Sequence, residues 1–379
     1  MRTFYEFFAG GGMVRAGLGP AWQCLFANDF DHKKGRVYRD NWGDNELRTA
    51  DVGSLKFHDV PGAADLAWAS FPCQDLSLAG GGAGLKGNRS GTFWLFWKLM
   101  KAVIADGRAP GMIVLENVCG ALTSHDGEDF TTICNALQDA GYATGALVID
   151  ASLFVPHSRP RLFIACVRAG VAIPDRCRSN APSLLWHTKA LRIAYEKLPS
   201  RTKSNWVWWK LPAPSARTTS LADLIEEDPA GWYSKEETKQ LIAKMSDLNK
   251  AKLEDAKDAN RRIVGGLYRR TRQDESGRKV QRAEIRFDDL SGCLRTPAGG
   301  SSRQVILVVE GSSVRARLIS SRETARLMGL PDTYILPENY NEAYHLTGDG
   351  VVVPVVRHLA EHICEPVLQC LEEGTTVAA

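Results

Sequence analysis

Cys73 follows Pro72 at the end of an apolar run, Leu66–Phe71, and is soon followed by a glycine-rich tract, AGGGAGLKGNRSG. A cysteine kept for packing as a small hydrophobe would fall inside the run. One placed just beyond it, where a strand gives way to a loop, is set to present a thiolate nucleophile. A nucleophile of that kind needs a proton donor nearby. Glu116 closes a second apolar run, Met112–Leu115, and a carboxyl at the end of a buried strand can keep its proton near neutral pH. Read alone, Glu116 would equally be an exposed loop residue. Arg159 and Arg161 in SRPRLF stand two apart, so an extended backbone puts them on one side. There they could bind an anion or a carbonyl oxygen, or simply edge a basic strand.

A glycine cluster, Phe8-Ala9-Gly10-Gly11-Gly12, lies between a strand candidate and a helix opening near Val14. That form allows a tight turn and close approach of backbone to a ligand at a helix N-terminus. The dinucleotide pattern G-x-G-x-x-G would need glycine where Arg15 stands, so the signal is for a nucleotide-like ligand in general. Asp29, just past the next strand candidate, could accept hydrogen bonds from ribose hydroxyls; a helix N-cap is the alternative. Phe30 could stack on an adenine, and Asp51 offers a further acceptor near the same sheet edge.

The elements that must position these residues are legible as alternating runs. Strand candidates fall at 3–8, 23–27, 66–70, 112–115, 146–149 and 162–167, with helical patterns at 92–107 and 129–141. Such alternation predicts an α/β domain around a mostly parallel sheet, with ligands at the carboxyl ends of its strands. After about residue 170 the character changes. Residues 171–218 read as irregular and Pro-rich, with Trp206, Trp208 and Trp209 in packing roles; 234–258 reads as one solvated helix. Residues 261–286 read as basic strand, with nine Lys/Arg against three Asp/Glu. The 379 residues are 44% hydrophobic and 24% charged with net charge +3, so any nucleic-acid signal must be local. Nine cysteines without a C-x-x-C pair exclude a disulfide framework and a structural zinc site, and imply a reducing compartment. No apolar run approaches the roughly 20 residues of a membrane span. Glycines stand where a signal peptide keeps its apolar core, so a soluble intracellular protein is expected.

Taken in order, these pieces resemble the DNA (cytosine-5) methyltransferase family, and the likeness covers most of the chain. FAGGG resembles its first motif, and NDFD and Asp51 its next two cofactor elements. FPCQDLS resembles the nucleophile motif, NRSGTF the following one, ENV the acid motif and SRPRLF the twin-arginine motif. RARLISSRETARLMGLPD is similar to the segment that props the recognition domain, and GDGVVVPVV to the last motif. Two positions depart from the pattern: His157 stands where Gln is usual, and Gly348-Asp349-Gly350-Val351 where Gly-Asn-Ser-Val is usual.

The resemblance implies an S-adenosylmethionine-dependent, Rossmann-like α/β domain with a smaller, irregular target-recognition domain. Residues 1–170 would form the first part of the catalytic domain and 312–379 its returning part. Residues 171–311 would recognise the target, their basic DNA-reading portion at about 261–305. Phe8, Gly10, Gly12, Asp29, Phe30, Asp51, Pro72, Phe93, Asp349 and Val351 would hold S-adenosylmethionine. Cys73 would attack C6 of a flipped-out cytosine while Glu116 bonds to N3 or protonates it. Arg161 would hold O2 with Arg159 supporting the site, and Asn117 would orient the proline turn. Gln74, Ser77, Arg269, Arg270, Arg272, Arg282 and Arg303 would contact double-stranded DNA, the arginines mainly at phosphates, the commoner kind of contact. No metal is implied. The protein would be a cytoplasmic, nucleoid-associated or phage-encoded monomer, with a cognate restriction endonuclease as candidate partner. Three alternatives stay open. One is an RNA (tRNA) cytosine-5 methyltransferase of the same family, disfavoured by the long basic insert. The second is a decayed DNA-binding module, disfavoured by intact Cys73, Glu116 and Arg161. The third is a dinucleotide-dependent thiol enzyme, disfavoured by Arg15.

Overall fold

A computed structural model describes residues 1–72, 91–227, 229–273, 276–294 and 303–377. Cys73, Gln74 and Ser77 lie outside the described residues. The chain forms two compact units, residues 1–150, 160–215 and 351–379 in one, and 151–159 and 216–350 in the other.

The first unit is built on seven strands: β1 (Arg2–Phe7), β2 (Trp22–Asp29), β3 (Leu47–Thr49), β4 (Leu66–Ala69), β5 (Met112–Val118), β6 (Tyr142–Asp150) and β7 (Pro160–Arg168). Their order is β3-β2-β1-β4-β5-β7-β6. Pairing is parallel from β3 to β5 and antiparallel from β5 to β7 and from β7 to β6. Parallel neighbours need crossovers. Here α1 (Met13–Leu18), α2 (His32–Trp42) and α3 (Thr92–Ala105) follow β1, β2 and β4, and α4 (Glu128–Asp139) links β5 to β6. This is the mostly parallel α/β architecture the alternation predicts. In α3, Phe93, Phe96, Trp97, Met100 and Val103 recur at helical spacing and are buried against the sheet's core. Burial of each such side chain contributes about 1.5–3 kcal/mol. Residues 171–215 belong to this unit, with β8 (Arg178–Ser179), α5 (Lys189–Glu196), α6 (Ser200–Ser204) and β9 (Trp208–Trp209). Trp209 is fully buried and its indole N–H donates to the Ala165 carbonyl at 3.2 Å. The tryptophans there are packing residues.

The second unit carries α7 (Leu221–Leu224), α8 (Lys235–Ala243) and α9 (Asp247–Asp258), then an antiparallel sheet. Its strands are β10 (Ile263–Gln273), β11 (Lys279–Arg286), β12 (Val305–Glu310) and β13 (Ser313–Leu318), in the order β11-β10-β12-β13. Next come α10 (Ser321–Leu327) and α11 (Tyr340–Asp349). The expected single solvated helix over 234–258 is thus two helices. Between them the Lys244 carbonyl accepts the Ala283 N–H at 3.1 Å, and Leu241, Met245, Leu253 and Ala256 are buried against one face of the sheet. Arg317 and Glu323, each 1% exposed, form a bidentate pair at 2.5 and 2.7 Å. The carboxylate also accepts backbone N–H groups of Ser320 and Glu226. Such satisfaction is what a buried pair requires.

The chain then returns to the first unit through α12 (Val353–Leu359), a π turn at Ala360–Cys364 and α13 (Glu365–Val377). α12 packs on α1 where Gly17 has no side chain; a Cβ there would lie 2.5 Å from Val356 Cβ. Arg357 donates to the Leu18 carbonyl at 2.7 Å. Among the described residues, no helix is long and apolar enough to cross a membrane.

Candidate active site

At the carboxyl end of β1 the chain turns through left-handed backbone at Phe8, Gly10 and Gly12, with φ of 57°, 57° and 78°. Glycine is the default there because it has no Cβ penalty. A Cβ on Gly12 would come within 2.4 Å of Trp42 Nε1, whereas one on Gly10 would meet nothing within 4 Å. The turn is therefore packed from behind and open in front. Asp29, at the end of β2, organises it. Its carboxylate accepts the Gly10 N–H and the Asp31 N–H, both at 2.8 Å. Burial pushes the Asp29 carboxyl up from its ordinary range. Asp29 is not the helix cap; Asp31 is, accepting from Lys33 and Lys34 at the start of α2. Phe30 beside it is 66% exposed, an aromatic face offered to solvent. Asp51 caps a short 3₁₀ turn by accepting the Gly53 N–H at 2.7 Å.

Sequence reading passed over Glu6, a lone carboxyl within the apolar strand TFYEFF. It is 1% exposed; Oε1 accepts the Val14 N–H at 3.2 Å, while Oε2 has no partner. Burial pushes its pKa up to about 8. An open left-handed glycine, an ordered carboxylate at the next strand end and an exposed aromatic fit a nucleoside ligand. Phe93, expected at the cofactor, is fully buried, with its ring parallel to that of Trp97. Trp94 is the aromatic that reaches the surface there. Val351 is buried and Pro72 half-buried in this unit. Asp349 belongs to the second unit, exposed at the end of α11.

Two strands away the sheet places the acid. Parallel register sets Phe7 beside Ala69 and Ala69 beside Leu115, so the turn after β1 and the residues after Leu115 share one sheet edge. β5 does not stop at Leu115. It continues because β7 keeps pairing with it, Glu116 with Phe163, Asn117 with Leu162 and Val118 with Arg161. Glu116 is 6% exposed, and Arg161 Nε lies 3.3 Å from its Oε1. Asn117 donates from Nδ2 to the Phe71 carbonyl at 3.2 Å and accepts the Val118 N–H at 2.8 Å. The carboxyl, the guanidinium and the chain two residues before Cys73 are therefore tied into one buried assembly. Among the described residues, no group of His, Cys, Asp and Glu could hold a metal ion.

Arg159, the other arginine of the pair, is engaged with backbone. It lies in the second unit, 2% exposed, where it donates to the carbonyls of Leu294, Gly348 and Gly350 at 3.2, 2.8 and 2.7 Å. A guanidinium so engaged pins that backbone. His157 fills the place of the usual Gln. Its Nε2 accepts the Leu294 N–H at 3.2 Å, so Nδ1 carries the proton it shares with the Leu327 carbonyl at 3.2 Å. The imidazole thus donates once and accepts once, as an amide would. Of the expected DNA contacts, Arg270, Arg272 and Arg282 share one face of β10–β11, and Arg269 is on the other. Arg303 is held by Asn341 and lies over the Tyr340 ring at 5.6 Å.

Against known proteins, residues 2–365 match the family model described as C-5 cytosine-specific DNA methylase. The chain is 25% identical over 379 residues to Type II methyltransferase M.Bsp6I of Bacillus sp. (strain RFL6), covering 97% of this chain and all of the relative. It is 23% identical over 362 residues to Type II methyltransferase M.HhaI of Haemophilus parahaemolyticus, covering 95% and 93%. Its fold is similar to that of S. pombe Dnmt2 methyltransferase, with TM-score 0.60, 15% identity and coverage of 97% and 99%. The Entamoeba histolytica methyltransferase EhMeth gives TM-score 0.61 at 14% identity, covering 96% and 97%.

Proposed function

The chain belongs to the C-5 cytosine-specific DNA methylase family, and on that premise we propose that it methylates C5 of a cytosine flipped out of a specific double-stranded DNA sequence, through a covalent Cys73–C6 adduct. The observation that carries this reading is the end of β5, where Glu116 pairs with Arg161 and Asn117 holds the Phe71 carbonyl. Cytosine C5 is a weak nucleophile. Addition of the Cys73 thiolate to C6 makes the ring enamine-like and sends negative charge toward N3 and O2. Glu116 supplies a proton or a hydrogen bond at N3, and Arg161 stabilises O2, in a site where low polarity strengthens both. S-adenosylmethionine, when bound, supplies the electrophilic methyl group that C5 accepts. Loss of the C5 proton then lets the C6–sulfur bond break, and Cys73 leaves as thiolate. None of this fits inside stacked bases, so the target must leave the helix, which costs about a few kcal/mol. Thiol chemistry at four other cysteines is disfavoured: burial pushes the Cys119 thiol up to about 11, and those of Cys24, Cys166 and Cys364 up to about 12.

Gly10, Gly12, Asp29, Phe30 and Asp51 would hold the cofactor in the first unit. In the second, the arginine-bearing sheet β10–β11 would bind the duplex. The Type II designation of the relatives extends to this chain as the proposal that it is a bacterial or phage monomer protecting DNA from a cognate endonuclease. Incubation of the purified protein with methyl-labelled S-adenosylmethionine and either genomic DNA or total tRNA tests the substrate. Label recovered as 5-methyldeoxycytidine is expected; label in RNA alone would overturn the DNA reading.

A further inference from the structure

On β10 and β11, Tyr268 stands opposite Glu284, Arg270 opposite Arg282 and Arg272 opposite Val280. Residues directly opposite share a face, and the other face carries Leu267, Ala283 and Ile285 into the core. Three arginines and one carboxylate are therefore gathered on the side turned away from that core. Like charges on paired positions are destabilising, so Arg270 opposite Arg282 marks a patch that an anionic partner would relieve. Arg272, Arg282 and Glu284 also line a pocket of about 480 Å³, beside Lys250 and Asp247, which pair at 3.4 Å.

Within this patch the arginines are not equivalent. Arg272 donates to Glu284 Oε1 from Nε at 2.7 Å and from Nη2 at 2.6 Å. Arg270 Nε lies 3.1 Å from Glu284 Oε2, and its guanidinium is 5.6 Å from the Tyr268 ring centre. Arg282 has no such partner among the described residues. A carboxylate is a poor neighbour for a phosphate, because it offsets the attraction that a phosphate contact relies on. It suits a base edge. Guanine O6 and N7 ask for a planar fork held in one orientation, and a fork already ordered loses less entropy on binding.

We propose that Glu284 is the positioning residue for a two-arginine reading head, Arg270 and Arg272, that addresses guanine edges in duplex DNA, while Arg282 meets phosphate. This rests on the proposed function and refines the expectation that these arginines contact mainly phosphate. The test uses the full chain as wild type, Glu284→Gln, Arg270→Lys with Arg272→Lys, and all three changes together. Two duplexes are compared, one carrying the methylated motif mapped in host DNA and one differing by a base pair. Single-turnover methylation gives the discrimination ratio, and binding across a salt series gives affinity.

Glu284→Gln should lower the ratio about tenfold while tightening non-cognate binding. The lysine pair, which keeps charge but not the fork, should also lower the ratio about tenfold, and the triple variant no further. An unchanged ratio in the lysine pair, or effects of Glu284→Gln and the lysine pair that multiply, would overturn the proposal even if Glu284→Gln failed to fold. Failure of the wild type to methylate any DNA would remove the functional reading itself, a result distinct from a methylating wild type whose variants discriminate equally well.

Discussion

The molecule uses arginine–glutamate contacts in two opposite settings. At the end of β5, Arg161 and Glu116 have side chains 15% and 8% exposed. On β10–β11, Arg270, Arg272 and Glu284 have side chains 40%, 51% and 32% exposed. An exposed pair stabilises the fold by only about 0–1 kcal/mol, so the geometry of the second group is informative about orientation, not stability. A shielded pair interacts strongly, and removing one partner strands the other. On the proposed function, the shielded pair lies where charge develops on the reacting base, whereas the exposed group would orient arginines toward base edges of the duplex. Arg317–Glu323 marks the limit of burial, at 1% exposure for each, with every contact spent on holding structure.

If burial governs the difference, effects should fall in order. Glu323→Ala should destabilise the second unit by about 3–5 kcal/mol, read as a lowered melting temperature; a shift worth under ~1 kcal/mol would place that pair with the exposed ones. Glu116→Gln should slow single-turnover methylation about 100-fold or more while changing cofactor affinity little; an unaltered rate would remove its role as acid. Glu6 tests burial through pH. Its folded pKa of about 8 lies above the ordinary 4.5, so the native state keeps a proton that the unfolded chain gives up. Stability should therefore fall as pH rises from about 4.5 to 8 and level off above. Glu6→Gln should remove a slope on the order of a few kcal/mol over that window, and an unchanged profile in urea titrations would refute the assignment. Smallest is His157. Gln can reproduce its donor and acceptor and should be nearly silent, whereas Phe should cost about 1–3 kcal/mol by orphaning the Leu294 N–H and Leu327 carbonyl. Equal melting temperatures for the two variants would contradict this.

The sheet was legible because its strands are apolar runs punctuated by turns. Observed boundaries of β1, β2, β6 and β7 differ from the expected ones mainly by extension at their ends. β5 is instructive. Polar Glu116 and Asn117 read as the end of a strand, yet pairing with β7 carries both inside it. A local pattern cannot register a neighbour that arrives from residues 160–168. The same blindness explains the two helices over 235–258, whose few apolar residues are buried by strands distant in sequence. Composition changes at about residue 170, but residues 171–215 pack in the first unit and 312–350 in the second; the tryptophans were legible as packing residues, but the unit they pack in was not. In the candidate site, strand-end position drew attention to Glu116 and Asp29, two-residue spacing to Arg161, and the resemblance to Asn117. Two-residue spacing implies a shared face only within a strand, and β7 begins at Pro160, so the spacing of Arg159 and Arg161 alone does not set one face for both. Glu6 was missed because a carboxyl inside an apolar run resembles an interruption.

On the proposed function, Cys73 is the nucleophile of a sequence-specific DNA methyltransferase. The most direct measurement is base-resolution mapping of 5-methylcytosine in the genome of a host expressing the wild type or Cys73→Ala. Methylation at one recurring motif is expected with wild type and none with Cys73→Ala. Methylation of that motif by the alanine variant would contradict it.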